Sequence, residues 1–295
     1  MIRNKYPNPN PNPTLILTAD WHLREINPVC RTDNFWDAQW KKIGFIRELQ
    51  EKYGCTILHG GDFFDHWKPS PLLISNAIKT CPKKLSICYG NHDLPQHNLD
   101  LAQKCGVNTL QIAGKVEVLP GGHWGQPPHT MMLGERKILI WHIMTWDGKR
   151  LPWPGCTDLS AQEILEKYPD YDLILTGHNH KAFVVENNGR LLVNPGSLTR
   201  QEADQENHLP SIYLWYSTSN SIVRIYLPIE KCVISREHIE RKQERDLRIS
   251  AFVEKLNMQN GKISGLDFHK SLEEFENSNN IRQSVMDIIW RAIDE

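Results

Sequence analysis

Leu173-Ile174-Leu175-Thr176-Gly177-His178-Asn179-His180 is the stretch whose reading decides the fold. An apolar run stops at a glycine, and two imidazoles follow on alternate positions. Extended backbone alternates its side chains with period two, so both rings point the same way. Neutral imidazoles aimed at one point form a metal-ligand arrangement. Four other short runs stop in matching chemistry. Residues 14–19 lead to Asp20 and His22, 56–58 to Asp62, 85–89 to Asn91 and His92, and 137–141 to His142. Short, continuous apolar runs read as strands covered on both faces. Five strands that each end in potential ligands define one site.

The elements between those strands place the chain in the α/β class. Phe35, Trp36, Trp40, Ile43 and Ile46 recur at helical spacing, with Asp33 as a cap and Gly54 as the stop. With the runs at 14–19 and 56–58 they make a βαβ unit. A second helix is expected over 70–79 after Pro69, and Ser160-Ala161-Gln162-Glu163 opens another as a capping box. Asn188-Gly189 turns a hairpin, and Ser219-Asn220 joins a later strand pair. Two loops stand out. Residues 120–129 hold His123 and His129, read as solvated, and 145–159 is rich in Trp and Pro, read as a lid or substrate wall.

The main domain is expected over 14–230. Before it, 1–13 is a flexible leader of alternating proline and asparagine, which excludes helix. After it, 231–295 reads as a helical C-terminal extension, with Asn260-Gly261-Lys262 as a linker between its helical parts. The formal net charge of −1 advertises neither nucleic acid nor an anionic membrane. The seven cysteines are scattered and lack a C-x-x-C pair, which points to a reducing, cytoplasmic setting. No apolar stretch approaches the roughly 18 residues of a spanning helix, so no membrane partner is expected.

Asp20, His22, Asp62, Asn91, His142, His178 and His180 are too many ligands for one tetrahedral ion and suit two. A carboxylate has two oxygens, so Asp62 is the expected bridge. Asp20, His22 and His180 then serve one ion, and Asn91, His142 and His178 the other. Two such ions share a hydroxide and clamp a phosphate for in-line displacement. Mixed imidazole and carboxylate ligands favour manganese, with iron or zinc as alternatives, over magnesium. His92 is expected to point into the site without binding metal and to donate a proton to the leaving oxygen, with Asp93 orienting its ring. Trp21, Asp65, His66, Trp67 and Lys68, beside Phe63 and Phe64, are candidates for contact with substrate.

These segments resemble the signature of the calcineurin-like metallophosphoesterases. D-x-H stands at 20–22, G-D-x-x-D at 61–65, G-N-H-D at 90–93, a strand-terminal histidine at 142, and G-H-x-H at 177–180. The resemblance implies a four-layer sandwich of two mixed β-sheets flanked by helices and a two-metal centre, with a metal-bridging hydroxide as nucleophile and His92 as proton donor. The finer likeness is to SbcD-type DNA-repair exonucleases. It lies in Thr18-Ala19-Asp20-Trp21-His22-Leu23, in the stretch from Gly61 to Ser70 read as G-D-x-F-D-x-x-x-P-S, and in Asn194-Pro195-Gly196-Ser197-Leu198-Thr199-Arg200 followed by a strand. Serine/threonine phosphatases fit less well, because His66 and Asp93 stand where they carry arginine and glutamate. The SbcD likeness implies hydrolysis of phosphodiester bonds in DNA. It also implies a shortened cap or a grip on an SbcC-like ATPase for the C-terminal helices, which alternatively pack on the core or pair with another subunit as a homodimer. A small-molecule phosphodiesterase and a scaffold without catalysis are the alternatives.

Overall fold

The strand-forming runs are short, and the alternation of their side chains builds three separate cores. In the computed structural model, residues 12–259, 275–279 and 281–294, with Leu272, are described. Residues 1–11 of the proline-asparagine leader and the Asn260-Gly261-Lys262 linker lie outside them. The first sheet holds β1 (Leu15–Thr18), β2 (Thr56–His59), β3 (Leu85–Ile87) and β4 (Glu117–Val118) in parallel. The second holds β5 (His129–Leu133), β6 (Arg136–His142), β7 (Leu173–Gly177), β8 (Phe183–Asn187) and β9 (Arg190–Asn194), in the order β5-β6-β7-β9-β8. There β6, β7 and β9 are parallel and the two edges antiparallel. The antiparallel pair β10 (Ser211–Tyr216) and β11 (Ser221–Tyr226) closes the first sheet beside β1, giving the order β11-β10-β1-β2-β3-β4.

Leu15, Leu17 and Leu58 of the first sheet meet Ile138, Ile140, Leu173 and Leu175 of the second in a core between the sheets. Their neighbours Ile16 and Ile57 face the other way, onto α1 (Phe35–Tyr53) and α2 (Pro71–Thr80). Leu139 and Ile174 likewise face α4 (Ala161–Lys167), which covers the second sheet; α3 (Gly106–Ile112) joins the first helical layer. The result is the expected four-layer sandwich of two mixed sheets flanked by helices.

Helix ends follow from capping chemistry, with one correction. Asn34 caps α1 by accepting from Asp37 N, while Asp33 is held away by the Arg31 guanidinium at 2.7 and 2.6 Å. Gly54 ends α1 at φ 68, a left-handed conformation that favours glycine. Ser160 and Glu163 form the reciprocal capping box of α4.

The chain divides into two compact units, Met1–Arg236 and Glu237–Glu295. Residues 231–236 pair with the loop after Pro28, through Thr32 N to Val233 O at 3.1 Å and Ser235 N to Cys30 O at 2.7 Å. In the second unit, α5 (Glu237–Gln259) and a helix over Gln283–Asp294 are described, with the Phe252 and Phe275 rings 4.9 Å apart. All seven cysteines are free, and among the described residues no helix is long and apolar enough to cross a membrane.

Candidate metal centre

The C-terminal ends of β1, β2 and β3 meet those of β6 and β7 where the sheets adjoin, and every proposed ligand sits at or just past one of those ends. The chain turns sharply there. Asp20, His22, Asp62 and His178 have φ of 49, 44, 56 and 81°. Left-handed backbone costs an L-residue about 1–2 kcal/mol, so four such residues persist only where the surroundings hold them. A ladder supplies that hold: Gly60 N to Thr18 O at 2.8 Å, Asp20 N to Gly61 O at 2.9 Å, and His22 N to Asp62 O at 3.1 Å. Glycine is required for the close approach. A Cβ on Gly90 would overlap the Asp62 side chain, and one on Gly177 would come within 2.9 Å of His142 Nδ1.

Three groups of ligand atoms result: one is His22, Asp62 and His92, and the other two separate the candidate ions. Asp20, His22 and His180 each present an atom within 4.8 Å of the others, and so do Asp62, His142 and His178. Asp62 spans both groups: its Oδ2 lies 3.5 Å from His22 Nε2 and 3.3 Å from His142 Nε2. Asn91 Oδ1 lies 3.1 Å from His142 Nε2 and 2.9 Å from His178 Nδ1. A second set of contacts fixes these side chains. His142 Nδ1 donates to Gly60 O at 2.7 Å, which turns Nε2 toward Asp62. Asp20 accepts from His178 N at 2.9 Å, and Asp62 Oδ1 from His92 N at 2.8 Å.

Burial drives the protonation states. It holds His22 well below the ordinary imidazole range, His178 at about 4, and His180 also low, so these rings are neutral, the form that ligates metal. Burial pushes Asp62 up, but the charge and hydrogen bond of His142 more than offset this and hold it well below the carboxylate range. His142 responds in kind: burial lowers it, and the Asp62 charge brings it up to about 9. Burial, with the charge of Asp62, pushes Asp20 up to about 7 against the pull of His142. Buried carboxylates, an amide oxygen and imidazole lone pairs thus converge with few donors among them. His22 Nε2 and His180 Nε2, for example, are 3.0 Å apart with at most one proton between them. Such a set fits divalent cations, which relieve the repulsion of the two carboxylates.

The remaining expected residues divide. His92 is exposed at the rim, with its ring 4.6 Å from that of His22. Asp93 does not orient it. Its buried carboxylate instead accepts from Gly90 N at 3.0 Å, Phe63 N at 3.1 Å and Phe64 N at 3.3 Å, fastening the turn that carries Asn91 to the turn that carries Asp62. The partner of His92 is the Asp65 main chain, with Nδ1 2.7 Å from Asp65 O. The Asp65 carboxylate lies 3.7 Å from His22 Nδ1 and is anchored by Arg24 at 3.2 Å. Trp21 is fully buried against His59 and Phe63, and its Nε1 donates to Thr18 Oγ1 at 2.7 Å, so it packs the core and cannot touch substrate. Phe63 and Phe64 are buried too. Trp67 is half-buried on the first core, whereas His66 and Lys68 are exposed. His123, expected in solvent, is buried and accepts from Tyr89 N at 3.0 Å.

Several residues near the site lie outside the motifs, with no sequence pattern to mark them. Trp124 lies against His178, ring centroids 4.6 Å apart, and Gln201 Nε2 donates to His22 O at 2.9 Å. His59 is buried behind Asp62, with Gly61 N donating to its Nδ1 at 3.1 Å. A cavity of about 620 Å³ opens beside His178 and His180, lined also by Asn207, His208 and Arg224.

Residues 14–214 match the family model of the calcineurin-like phosphoesterase superfamily domain. Among solved structures, a novel archaeal phosphodiesterase is 18% identical, with 72% of this chain and 99% of that chain covered and a TM-score of 0.43. A predicted phosphoesterase from Streptococcus pneumoniae TIGR4 is 16% identical, covering 72% and 83% at 0.35. Vacuolar protein sorting 29 from Cryptosporidium parvum is 19% identical, covering 72% and 96% at 0.36.

Proposed function

The chain belongs to the calcineurin-like phosphoesterase superfamily, and from that premise we propose a two-metal phosphodiesterase that cleaves DNA in the manner of SbcD-type nucleases. The observation that carries the two-metal part is Asp62 Oδ2 lying between His22 and His142, with an imidazole group on either side. Asp20, His22 and His180 would hold one cation and Asn91, His142 and His178 the other, with Asp62 shared. Manganese suits this donor set best, with iron or zinc as alternatives. Cations bound there supply the positive charge that stabilises an in-line displacement at phosphorus and make the attacking water more acidic.

The chain's own groups do the rest. His92 Nδ1 donates to Asp65 O, which leaves Nε2 at the exposed rim to hold a proton for the leaving oxygen. Asp65 and Arg24 steady the ring of His22 from behind. The DNA substrate is supported by the run from Gly61 to Ser70 and by Asn194-Pro195-Gly196-Ser197, the two segments with the SbcD likeness, and by exposed His66 and Lys68 beside the site. Exposed Leu247, Ile249 and Val253 on α5 support a helical partner, either an SbcC-like ATPase or a second copy. The free thiols support a cytoplasmic setting.

The test is degradation of end-labelled linear double-stranded DNA by purified protein with manganese, with Asp62→Ala as control. Digestion by wild type alone supports the nuclease. The cavity beside His178 and His180 favours a second reading, a small-molecule phosphodiesterase acting on nucleotide diesters. Intact DNA alongside rapid hydrolysis of bis(p-nitrophenyl) phosphate would select it.

A further inference from the structure

Loop 145–159 leaves β6 just after His142 and returns at Ser160, the cap of α4. Its neck is fastened. Trp146 and Ser160 pair through their backbones, Thr145 Oγ1 donates to Leu159 O at 2.8 Å, and Trp146 Nε1 donates to Asp158 O at 3.0 Å. The same neck is tied to the metal centre: Asn179, between His178 and His180, donates through Nδ2 to Thr145 O at 2.7 Å.

The tip is opposite in character. Lys149 and Arg150 are exposed, and Leu151 and Trp153 are 49% and 46% exposed. Of the ten tryptophans, the other nine are buried or half-buried. With nearly half of its surface open, Trp153 leaves more aromatic face uncovered than any other tryptophan of the chain. This one stands between Pro152 and Pro154, which fix their own φ and restrict the residue before each. An aromatic ring presented by a stiff, fastened segment loses little freedom on binding, which is how a contact surface is preorganised.

We propose that this tip holds single-stranded nucleic acid, with an unpaired base stacked on Trp153 and the adjoining phosphate on Arg150 and Lys149. The proposal rests on the nuclease reading and deepens it. Stacking on an aromatic face accepts any base, and neighbouring cations follow the backbone, as a nuclease without sequence preference requires. The neck that carries this tip is bonded to Asn179, between His178 and His180, so the proposed contact stands on the loop fastened to the centre.

The test uses manganese-loaded protein and a fluorescein-labelled oligothymidylate with phosphorothioate linkages, which resist cleavage, read by anisotropy. Trp153→Ala is expected to weaken binding by about tenfold or more, and Trp153→Phe to restore most of it. Arg150→Gln is expected to weaken binding and flatten its salt dependence. All three variants should hydrolyse bis(p-nitrophenyl) phosphate at the wild-type rate. Equal oligonucleotide affinity for wild type and Trp153→Ala would overturn the proposal and leave the nuclease reading standing. Binding to phosphatidylglycerol vesicles, lost in Trp153→Ala and without oligonucleotide binding, would overturn it in favour of a membrane contact. A wild type that hydrolyses the generic diester but neither binds the oligonucleotide nor cuts DNA would overturn the nuclease reading, and this proposal with it.

Discussion

Gly90→Ala adds one methyl group at the most crowded point of the centre. The new Cβ would overlap Asp62, with Asp62 Cγ at 2.6 Å, whereas ordinary contact begins near 3.4 Å. Relief therefore requires a shift of about 1 Å between the Asn91 turn and Asp62. The turn cannot give freely, because Asp93 clamps it to the backbone of Phe63 and Phe64. Overpacking of this kind costs about 1–3 kcal/mol, less than the stability of an ordinary domain, so the variant should fold with a Tm lower by several degrees. Activity should suffer far more, since a misplacement of about 1 Å costs on the order of 100-fold in rate. The assay pairs thermal melting with bis(p-nitrophenyl) phosphate hydrolysis and manganese titration. Gly44→Ala is the control: it lies in α1 with nothing within 4 Å of the added Cβ, and should be stabilised by about 0.5–1 kcal/mol with activity unchanged. Wild-type turnover and manganese affinity in Gly90→Ala would refute the claim that this glycine sets the position of Asp62.

Asp62→Ala should lose both metal ions and activity together, because its carboxylate lies in reach of both imidazole groups; two manganese ions retained by elemental analysis would reject the shared position. His92→Ala should keep its metal content while kcat falls by about 10²–10⁴-fold, and a wild-type kcat would reject the acid role. Burial, with Arg31 and Arg200 nearby, holds Lys42 down at about 8 against an ordinary 10.5. Between those values the unfolded chain keeps a proton that the folded chain releases, so stability rises with pH across that window. This contribution is complete above 10.5 and lost as pH falls through about 8. Melts of wild type and Lys42→Met from pH 7 to 10.5 should diverge in slope, and parallel curves would count against it.

The candidate ligands were legible because each obeys a local rule. A short apolar run ends, the chain turns, and the next polar residues face the open end of a parallel sheet. The layers were legible for the same reason, as Leu15, Ile16 and Leu17 alternate between the inter-sheet core and the helical layer. Burial of individual aromatics was not. Trp21 sits between two ligands in sequence, yet a left-handed φ at Asp20 and another at His22 swing its side chain into the core, where Thr18 takes its N–H. No periodicity rule covers a turn with two such residues. The cap of α1 shifted by one position for a different reason: Asp33 and Asn34 are both capable caps, and the guanidinium of Arg31, two residues before Asp33, claims the first.

Asp93 and Asp65 carry the same lesson into the chemistry. Both neighbour catalytic motifs, and sequence offers each as a carboxylate beside a histidine. In the folded chain, three main-chain N–H groups claim Asp93, and burial pushes it up to about 7. His92 is left to a carbonyl, that of Asp65. A carbonyl accepts the Nδ1 proton without adding a negative charge, so in the proposed acid role of His92 an anionic phosphate at Nε2 would meet less repulsion than a carboxylate partner would impose. The Asp65 carboxylate is spent on His22 and Arg24 instead. The division follows from which groups the turns leave exposed as donors: Gly90, Phe63 and Phe64 present buried N–H groups that require an acceptor, and the nearest acidic side chain must serve them before it can serve a histidine.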